Sequence, residues 1–429
     1  MSKIRVGIIG VGSCAKSLVE GVQYYNTNTH DTVGLMYPDI GGYTTKDIQF
    51  AMGFDIDYRK VNKTLAMALR AKPNCSMDHV ETIDQSDTGC IDKNAMVYSA
   101  PMLDGMADHM SDYPDDVTFV NGAIPAESYE RIVELLRYHK VDILINYLPV
   151  GSEKATEFWI DAALEAGVHF VNCIPTLIST DKAKEVEQRF IDKGLTIIGS
   201  DMRSAWGASR MSEVLQGAMI DAGLSVTQHI QMNMAAGSTQ GQEHIRTGRT
   251  ANTDFLNMAK QHRLHSKHVS KENVLKGQNI VRDTSFDGMT LFAGPSLTVQ
   301  QKPGGKYISS DNKIANFDIV AYGFGGARYE ISARMSVQDS PNSGGVVISA
   351  IRFCKVAAEM GIVGYIRGAS AWTQKSPPLQ MLTADSKFEC DALARRELTA
   401  ITKKQLKDNR PKAEDLEYTF QKSTTDYEN

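Results

Sequence analysis

Short apolar runs alternate with amphipathic stretches over the first part of the chain. The runs predict buried strands at 4–9, 48–54, 141–149, 168–172 and 195–198. Apolar spacing between and after them predicts helices at 13–25, 127–138, 152–166, 181–193 and 208–222. Strands that alternate with helices in this way are typical of an α/β fold with a parallel, doubly wound sheet. Ligands bind such a sheet at the carboxyl ends of its strands.

The pattern changes further along the chain. Residues 226–234, 316–323 and 329–337 alternate apolar and polar positions, which is typical of a sheet with one covered face. An apolar helical pattern returns at 344–360. We therefore predict a dinucleotide-type domain at 1–202, an inserted α+β domain at 203–340 and a return segment at 341–402. A polar tail follows at 403–429. A sheet with one bare face also favours a subunit interface.

The first predicted strand runs into G-V-G-S-C-A at residues 10–15, the G-x-G-x-x-A form of the dinucleotide fingerprint. Gly10 permits the tight turn, and Gly12 lets backbone N–H groups approach a pyrophosphate. The small Ala15 lets the helix pack on the strand, and the helix N-terminus favours the negative charge. Ser13 and Cys14 complete the turn. The pattern predicts a dinucleotide site.

Asp55 stands at the end of the second predicted strand. A carboxylate there is expected to take the ribose hydroxyls, which favours NAD over NADP. Asp57 is the fallback candidate and is expected to face away. The spacing from Gly12 exceeds the usual distance of about 20 residues, so residues 27–46 are interpreted as an inserted loop.

Composition narrows the function classes. The chain has 429 residues, 42% hydrophobic and 23% charged, with a net charge of -5. No basic patch indicates nucleic-acid binding. No stretch is apolar enough to span a bilayer, and the start shows no signal-peptide pattern. The six cysteines lack C-x-x-C spacing and the ten histidines lack H-E-x-x-H spacing. We expect a cytoplasmic protein with reduced thiols and no membrane partner.

Two lysines four residues apart occur in S-K-H-V-S-K at 266–271. On a helix, Lys267 and Lys271 would share one face, where like charges repel by a few tenths of a kcal/mol. Such a pair can hold a phosphate or stabilise an oxyanion. It can equally form a solvated basic face.

Several further strings extend this picture. They are G-L-M at 34–36, F-D-I-D at 54–57, Y-L-P-V-G-S-E at 147–153, D-N-K at 311–313, D-S-P-N-S at 339–343 and K-S-P-P at 375–378. Together with the fingerprint and the paired lysines, they resemble the myo-inositol-1-phosphate synthase family, and its bacterial branch most of all. The resemblance runs nearly end to end.

This resemblance implies an NAD-dependent, redox-neutral cyclisation of glucose 6-phosphate. Oxidation at C5 acidifies the C6 protons, the resulting enolate attacks the C1 aldehyde, and reduction gives inositol phosphate. Each intermediate is a carbonyl or an oxyanion, so the site needs several cations in a dry pocket. Clustered lysines suit this task because they lower one another's pKa and can exchange protons near neutrality.

The resemblance also implies the site residues. The catalytic set is Lys267, Lys271, Lys313, Lys375, Asp201 and Asp339. Lys267 and Lys375 would handle protons at the C5 oxygen and the enolate, Lys313 would polarise the C1 carbonyl, and Lys271 would lie nearer the phosphate. The two aspartates would orient lysines or relay protons, or else simply cap buried loops.

Two binding sets follow in the same way. The cofactor set is Gly10, Gly12, Ser13, Cys14, Ala15, Asp55, Tyr147, Pro149, Val150, Asn172, Pro175, Asp201 and Ser340. The substrate set is Ser204, Asn252, Asp254 and Asn257, with the four lysines.

The chain departs from the family pattern in three places. S-D-M-R-S at 200–204 has lost one carboxylate and carries arginine in place of lysine. Residues 235–250 interrupt a short connection, and Ala251 replaces a glycine. The interruption is either a surface loop or a lid that brings Glu243, His244, Arg246 and Arg249 to the substrate. These departures concern the substrate site and not the fold or the cofactor site.

Other functions remain open on the sequence. A family member could cyclise another sugar phosphate, such as fructose 6-phosphate. An oxidoreductase of the same plan would release NADH, and an NAD sensor would do no chemistry, although a sensor has no need of four lysines. The resemblance further suggests a homotetramer or dimer, and a monovalent or divalent cation near the phosphates.

Overall fold

The structure is a computed structural model that describes residues 2–72, 74, 76–106, 115, 120–122, 124–176, 180–235, 274, 285–290 and 311–397. Two sheets, one of seven strands and one of four, organise these residues. Every helix in these ranges is too short or too polar to cross a lipid bilayer.

The strands, in chain order, are β1 (Ile4–Ile9), β2 (Ile48–Asp55), β3 (Val97–Ser99), β4 (Ile143–Asn146), β5 (His169–Asn172), β6 (Thr196–Ile198), β7 (Ser225–Ala235), β8 (Ser285–Thr290), β9 (Asn312–Tyr322), β10 (Arg328–Gln338) and β11 (Gly364–Tyr365). The α-helices are α1 (Ser13–Thr27), α2 (Leu65–Leu69), α3 (Tyr129–Tyr138), α4 (Glu153–Ala166), α5 (Thr180–Lys193), α6 (Ala208–Asp221), α7 (Asp339–Glu359), α8 (Arg367–Thr373) and α9 (Thr383–Ala394).

The larger sheet is wholly parallel, in the order β11-β6-β5-β4-β1-β2-β3. Its strands are apolar runs buried on both faces, as parallel sheets require. Helices α1 and α7 pack on one face, and α3, α4 and α5 pack on the other. The run β3-β2-β1-β4-β5-β6 is the strand order of doubly wound dinucleotide-binding sheets.

The turn between β1 and α1 depends on glycine. Gly10 has φ +84°, and a Cβ there would lie 2.8 Å from the carbonyl oxygen of Tyr147. Both the backbone conformation and the contact with the strand-end loop after β4 therefore exclude a side chain. Gly12 is the N-cap of α1, so the helix starts at Ser13, directly above the sheet edge.

The inserted loop between α1 and β2 is tied to α7 by one buried arginine. The Arg352 guanidinium is fully buried and donates to the carbonyl oxygens of Tyr37 (2.7 Å), Pro38 (3.0 Å) and Tyr43 (3.2 Å). Burial lowers the pKa of Arg352 to about 10, so it stays charged at neutral pH. These bonds fix the path of the loop.

The smaller sheet has the order β10-β9-β7-β8, with β8 parallel to β7 and the other pairs antiparallel. Alternate residues of β9 are buried beneath α6: Ala315, Phe317, Ile319 and Ala321. On the opposite face Ser332 donates to Asp318 (2.6 Å), and Glu330 and Arg334 are exposed. The alternation of apolar and polar residues in the sequence therefore corresponds to a sheet that α6 covers on one face and whose other face is exposed in this chain.

The predicted fold class is confirmed. The chain leaves the parallel sheet after β6, builds the smaller sheet and returns through α7 to β11. Helix α7 starts at Asp339, five residues before the predicted start at 344. Pro341 is tolerated there because the first N–H groups of a helix have no acceptor within it. Strands β3, β8 and β11 and helices α2, α8 and α9 were not predicted.

Candidate active site

A cavity of about 220 Å³ lies at the carboxyl ends of β1, β2, β4, β5 and β6. Fifteen of the predicted site residues line it: Gly10, Gly12, Ser13, Cys14, Ala15, Asp55, Tyr147, Pro149, Pro175, Asp201, Ser204, Lys313, Asp339, Ser340 and Lys375. Parallel strands end at one edge, so loops distant in sequence converge there.

The remaining predicted site residues are placed differently. Val150 and Asn172 are buried and are not among the lining residues. The side-chain amide of Asn172 instead donates to the hydroxyls of Thr176 (2.7 Å) and Ser200 (3.1 Å), and these bonds connect the loops after β5 and β6. Lys267, Lys271, Asn252, Asp254 and Asn257 lie outside the described residues, as do residues 236–250 of the interruption, whereas Ala235 ends β7.

The glycine turn leaves room for a ligand. A Cβ at Gly12 would meet no heavy atom within 4 Å, and Gly12 lines the cavity. The first turn of α1 carries no acidic side chain. An open cradle of backbone at a helix N-terminus is the environment that a pyrophosphate requires. The residues present fit a dinucleotide.

Asp55 stands at the end of β2 and lines the same cavity as Gly12. One of its carboxylate oxygens accepts from the Val11 amide (2.8 Å), and the other accepts from the Asp57 amide (2.9 Å). These two bonds fix the carboxylate, and lone pairs remain for two hydroxyl donors. Asp57 is fully buried and pairs with Arg59, so it faces away from the cavity as predicted.

Lys375 and Asp201 form an ion pair in the cavity wall. Lys375 Nζ lies 2.7 Å from Asp201 Oδ1, and the two side chains are 14% and 2% exposed. The backbone supports the pair, because the Lys375 amide donates to the Asp201 carbonyl (2.7 Å). The Asp201 amide in turn donates to the Ile174 carbonyl (3.0 Å), at the end of β5. The ammonium is thus fixed by two loops of the parallel sheet.

Lys313 and Asp339 form a second pair at the cavity, where β9 meets α7. Lys313 Nζ lies 3.2 Å from both carboxylate oxygens of Asp339. Asp311 holds the start of α7, because its side chain accepts from the amide (3.1 Å) and the hydroxyl (2.7 Å) of Ser340. Two lysines, each aligned by a carboxylate, therefore line one cavity with the glycine turn.

The departure at Arg203 lies behind the cavity. Arg203 is buried and pairs with Glu213 of α6, and burial lowers its pKa to about 9. Its amide donates to the Thr373 carbonyl (2.8 Å), two residues before Lys375. In this chain the arginine supports the loop that carries Asp201 and does not line the cavity.

The sequence patterns did not identify every lining residue. Lys60 is buried beside Asp55, and Ser343 follows Ser340 on α7. Asp104 accepts from the amides of Lys154 (2.7 Å) and Ala155 (2.9 Å) and so caps α4. Ser343 belongs to the quoted D-S-P-N-S string, but Lys60 and Asp104 lie in loops without a recognisable motif.

Two further observations concern a cysteine of the cavity and the metal-ligating side chains of the described residues. Burial raises the pKa of the Cys173 thiol well above its usual range, which disfavours a thiolate nucleophile. Within the described ranges, no three His, Cys, Asp or Glu side chains are grouped so as to hold a metal ion.

The strand order, the glycine turn and the cavity at the strand ends define a Rossmann-type fold with a dinucleotide-type site. Comparison with known proteins is more specific. A family model described as myo-inositol-1-phosphate synthase matches residues 207–340. Inositol-3-phosphate synthase of Corynebacterium glutamicum is 36% identical over 386 residues, which is 89% of this chain and 95% of that protein.

The same enzyme of Mycolicibacterium smegmatis is 35% identical over 92% of this chain and 97% of that protein. The chain therefore belongs to the myo-inositol-1-phosphate synthase family, whose curated members are isomerase-type enzymes, as the motifs predicted.

Solved structures agree on the fold. The crystal structure of Ari2 has a TM-score of 0.62 at 25% identity and covers 92% of this chain and 99% of that one. A myo-inositol-1-phosphate synthase-related protein from Thermotoga maritima has a TM-score of 0.69 at 17% identity, over 91% and 98% of the two chains.

Proposed function

We propose that the chain catalyses the NAD-dependent, redox-neutral cyclisation of D-glucose 6-phosphate to 1D-myo-inositol 3-phosphate. One observation supports this most strongly: two lysine–aspartate pairs line the same cavity as a glycine turn suited to a pyrophosphate. A simple dinucleotide-binding protein needs the turn but not two aligned ammonium groups. Membership of the inositol phosphate synthase family supports this reaction.

In the proposed reaction the cofactor and the lysines have different roles. When bound, NAD would supply the hydride acceptor for oxidation at C5 of the sugar and the hydride for the final reduction. Lys375, aligned by Asp201, exchanges a proton with the C5 oxygen and stabilises the neighbouring enolate. Lys313, aligned by Asp339, polarises the C1 carbonyl for ring closure. Cations fixed in advance beside developing oxyanions lower the barrier without rearrangement at the moment of reaction.

The lysines outside the described residues complete the proposal. Lys267 joins the proton transfer at C5 and the enolate, and Lys271 holds the phosphate. The substrate phosphate and hydroxyls are bound by Ser204, Asn252, Asp254 and Asn257. A monovalent or divalent cation binds near the phosphates.

We also propose that the domains of the chain meet at residues 202, 340 and 402. We further propose a cytoplasmic homotetramer or dimer, formed through the exposed face of the smaller sheet.

A product assay tests the reaction. The protein is incubated with NAD and glucose 6-phosphate, and the mixture is followed by phosphorus and proton NMR and by absorbance at the NADH wavelength. We expect a phosphorylated cyclitol without accumulation of NADH. Fructose 6-phosphate is run in parallel, because the departures at 200–204 and 235–250 concern the substrate. A cyclitol from fructose 6-phosphate alone, or steady NADH release, would refute the proposed reaction.

A further inference from the structure

Lys60 is a buried cation at the ribose end of the cavity. Its side chain is 6% exposed, it lines the cavity, and its Nζ lies 3.5 Å from Asp55 Oδ2. It follows β2 by five residues, in a turn closed by the Lys60 amide, which donates to the Asp57 carbonyl (2.9 Å). The proposed reaction uses Lys313 and Lys375 of this cavity and leaves Lys60 without a role.

The neighbouring cation, Arg59, pairs with a carboxylate that does not line the cavity. Arg59 pairs with Asp57 through two bonds, from Nε to Oδ1 (2.8 Å) and from a terminal nitrogen to Oδ2 (2.5 Å). Its charge is therefore balanced at a residue that does not line the cavity. Lys60 differs because it lines the cavity, and its contact with Asp55 is longer than a normal hydrogen bond of about 2.7–3.2 Å. An ammonium with three donors can serve further oxygen ligands from this position.

Asp55 and Lys60 act in opposite directions on a 2′-phosphate. The carboxylate accepts ribose hydroxyls and repels a phosphate on the same ribose. The ammonium attracts that phosphate, and a lysine is a common phosphate ligand in proteins. In the native chain the two charges would offset each other at a 2′-phosphate, and hydrogen bonds that Asp55 would accept from the ribose hydroxyls would then favour NAD.

We propose that Asp55 and Lys60 together set the choice between NAD and NADP, with Lys60 a phosphate ligand held in reserve. Removing the Asp55 charge alone should open the site to NADP, without any added arginine. This inference rests on the proposed function, in that it assumes the cavity binds a dinucleotide through the turn after β1.

Calorimetric binding of NAD and NADP at one fixed low salt concentration tests the inference. The variants are Asp55→Ser, Asp55→Asn and Asp55→Ser with Lys60→Met. Asp55→Asn keeps an acceptor for a backbone amide, so it covers the case in which serine impairs folding. Thermal melting establishes that each protein is folded. Binding is the readout, so the result does not depend on turnover.

We expect the native protein to bind NAD at least ~10²-fold more tightly than NADP. Neutralising Asp55 should strengthen NADP binding by about 10- to 100-fold, the value of a charge-assisted hydrogen bond. Adding Lys60→Met should abolish that gain. The inference is overturned if neither Asp55 variant gains NADP affinity, if the gain survives Lys60→Met, or if the native protein binds both cofactors equally. Failure of the native protein to bind either one would instead refute the proposed function.

Discussion

Gly12 offers a test that separates cofactor binding from folding. Its backbone is extended (φ -105°), so alanine fits the conformation, and its Cβ would meet no heavy atom within 4 Å. The loss of a glycine N-cap and the reduced freedom of the unfolded chain are each worth up to about 1 kcal/mol and oppose each other. Gly12→Ala should therefore melt within a few degrees of the native protein.

The cofactor should be affected far more. The added methyl group occupies the space through which backbone amides reach the pyrophosphate. Each lost hydrogen bond to a charged group costs about 1.5–3 kcal/mol, so NAD affinity should fall by about 10- to 100-fold or more. Isothermal titration calorimetry with NAD measures this fall directly.

Two other glycines serve as controls. Gly21 lies in the middle of α1, also with no heavy atom within 4 Å of a Cβ, and it does not line the cavity. Gly21→Ala should stabilise the protein by about 0.5–1 kcal/mol and leave NAD affinity unchanged. Gly10→Ala should destabilise the fold itself, because of its contact with Tyr147. Unchanged NAD binding in Gly12→Ala, or equal weakening in Gly21→Ala, would show that Gly12 does not form the pyrophosphate site.

Three further predictions concern the lysine, the buried arginine and pH. Lys375→Ala should lower kcat by at least ~10²-fold, whereas the exposed Lys193→Ala should leave it unchanged in the same assay. Arg352→Met removes the buried donor of the Tyr37 and Pro38 carbonyls, whereas the Tyr43 carbonyl still accepts from the Ile40 amide, and should cost about 3–5 kcal/mol in urea unfolding; a loss below about 1 kcal/mol would show that the loop is held by other contacts. Burial lowers the pKa of His169 and of His229 to about 4, so the unfolded chain binds more protons between about pH 6.5 and 4. Their contribution to stability is present above about pH 6.5 and is lost as the pH falls through that window, which melting curves from pH 7.5 to 4.5 should show, and a melting temperature that rises on acidification would contradict it.

Much of the parallel sheet could be predicted from local patterns. Strands β1, β2, β4, β5 and β6 are apolar runs, and helices of regular length separate most of them. Because parallel strands end at one edge, residues such as Gly10, Asp55 and Tyr147 could be expected to lie close together. The motif resemblance then added Lys313 and Lys375, which the structure places in the same cavity.

Contacts between distant segments could not be predicted in this way. Lys375 meets Asp201 across 174 residues because β11 pairs with β6 and the segment after α8 bonds to the loop after β6, and no local period encodes that. Arg352 sits within an apolar helix, and its acceptors are carbonyls of a loop near the start of the chain. In the sequence Lys60 cannot be distinguished from other loop lysines, because only the structure shows that it is buried. Such pairings depend on tertiary structure.

In the proposed reaction a hydride is removed from C5 of the sugar and returned to the same carbon. Glucose 6-phosphate carrying deuterium at C5 tests this directly, with the product examined by deuterium NMR. We expect a cyclitol phosphate that retains the deuterium at one carbon, with no net change in NADH absorbance. Loss of the label to solvent, or deuterium recovered in free NADH, would contradict it.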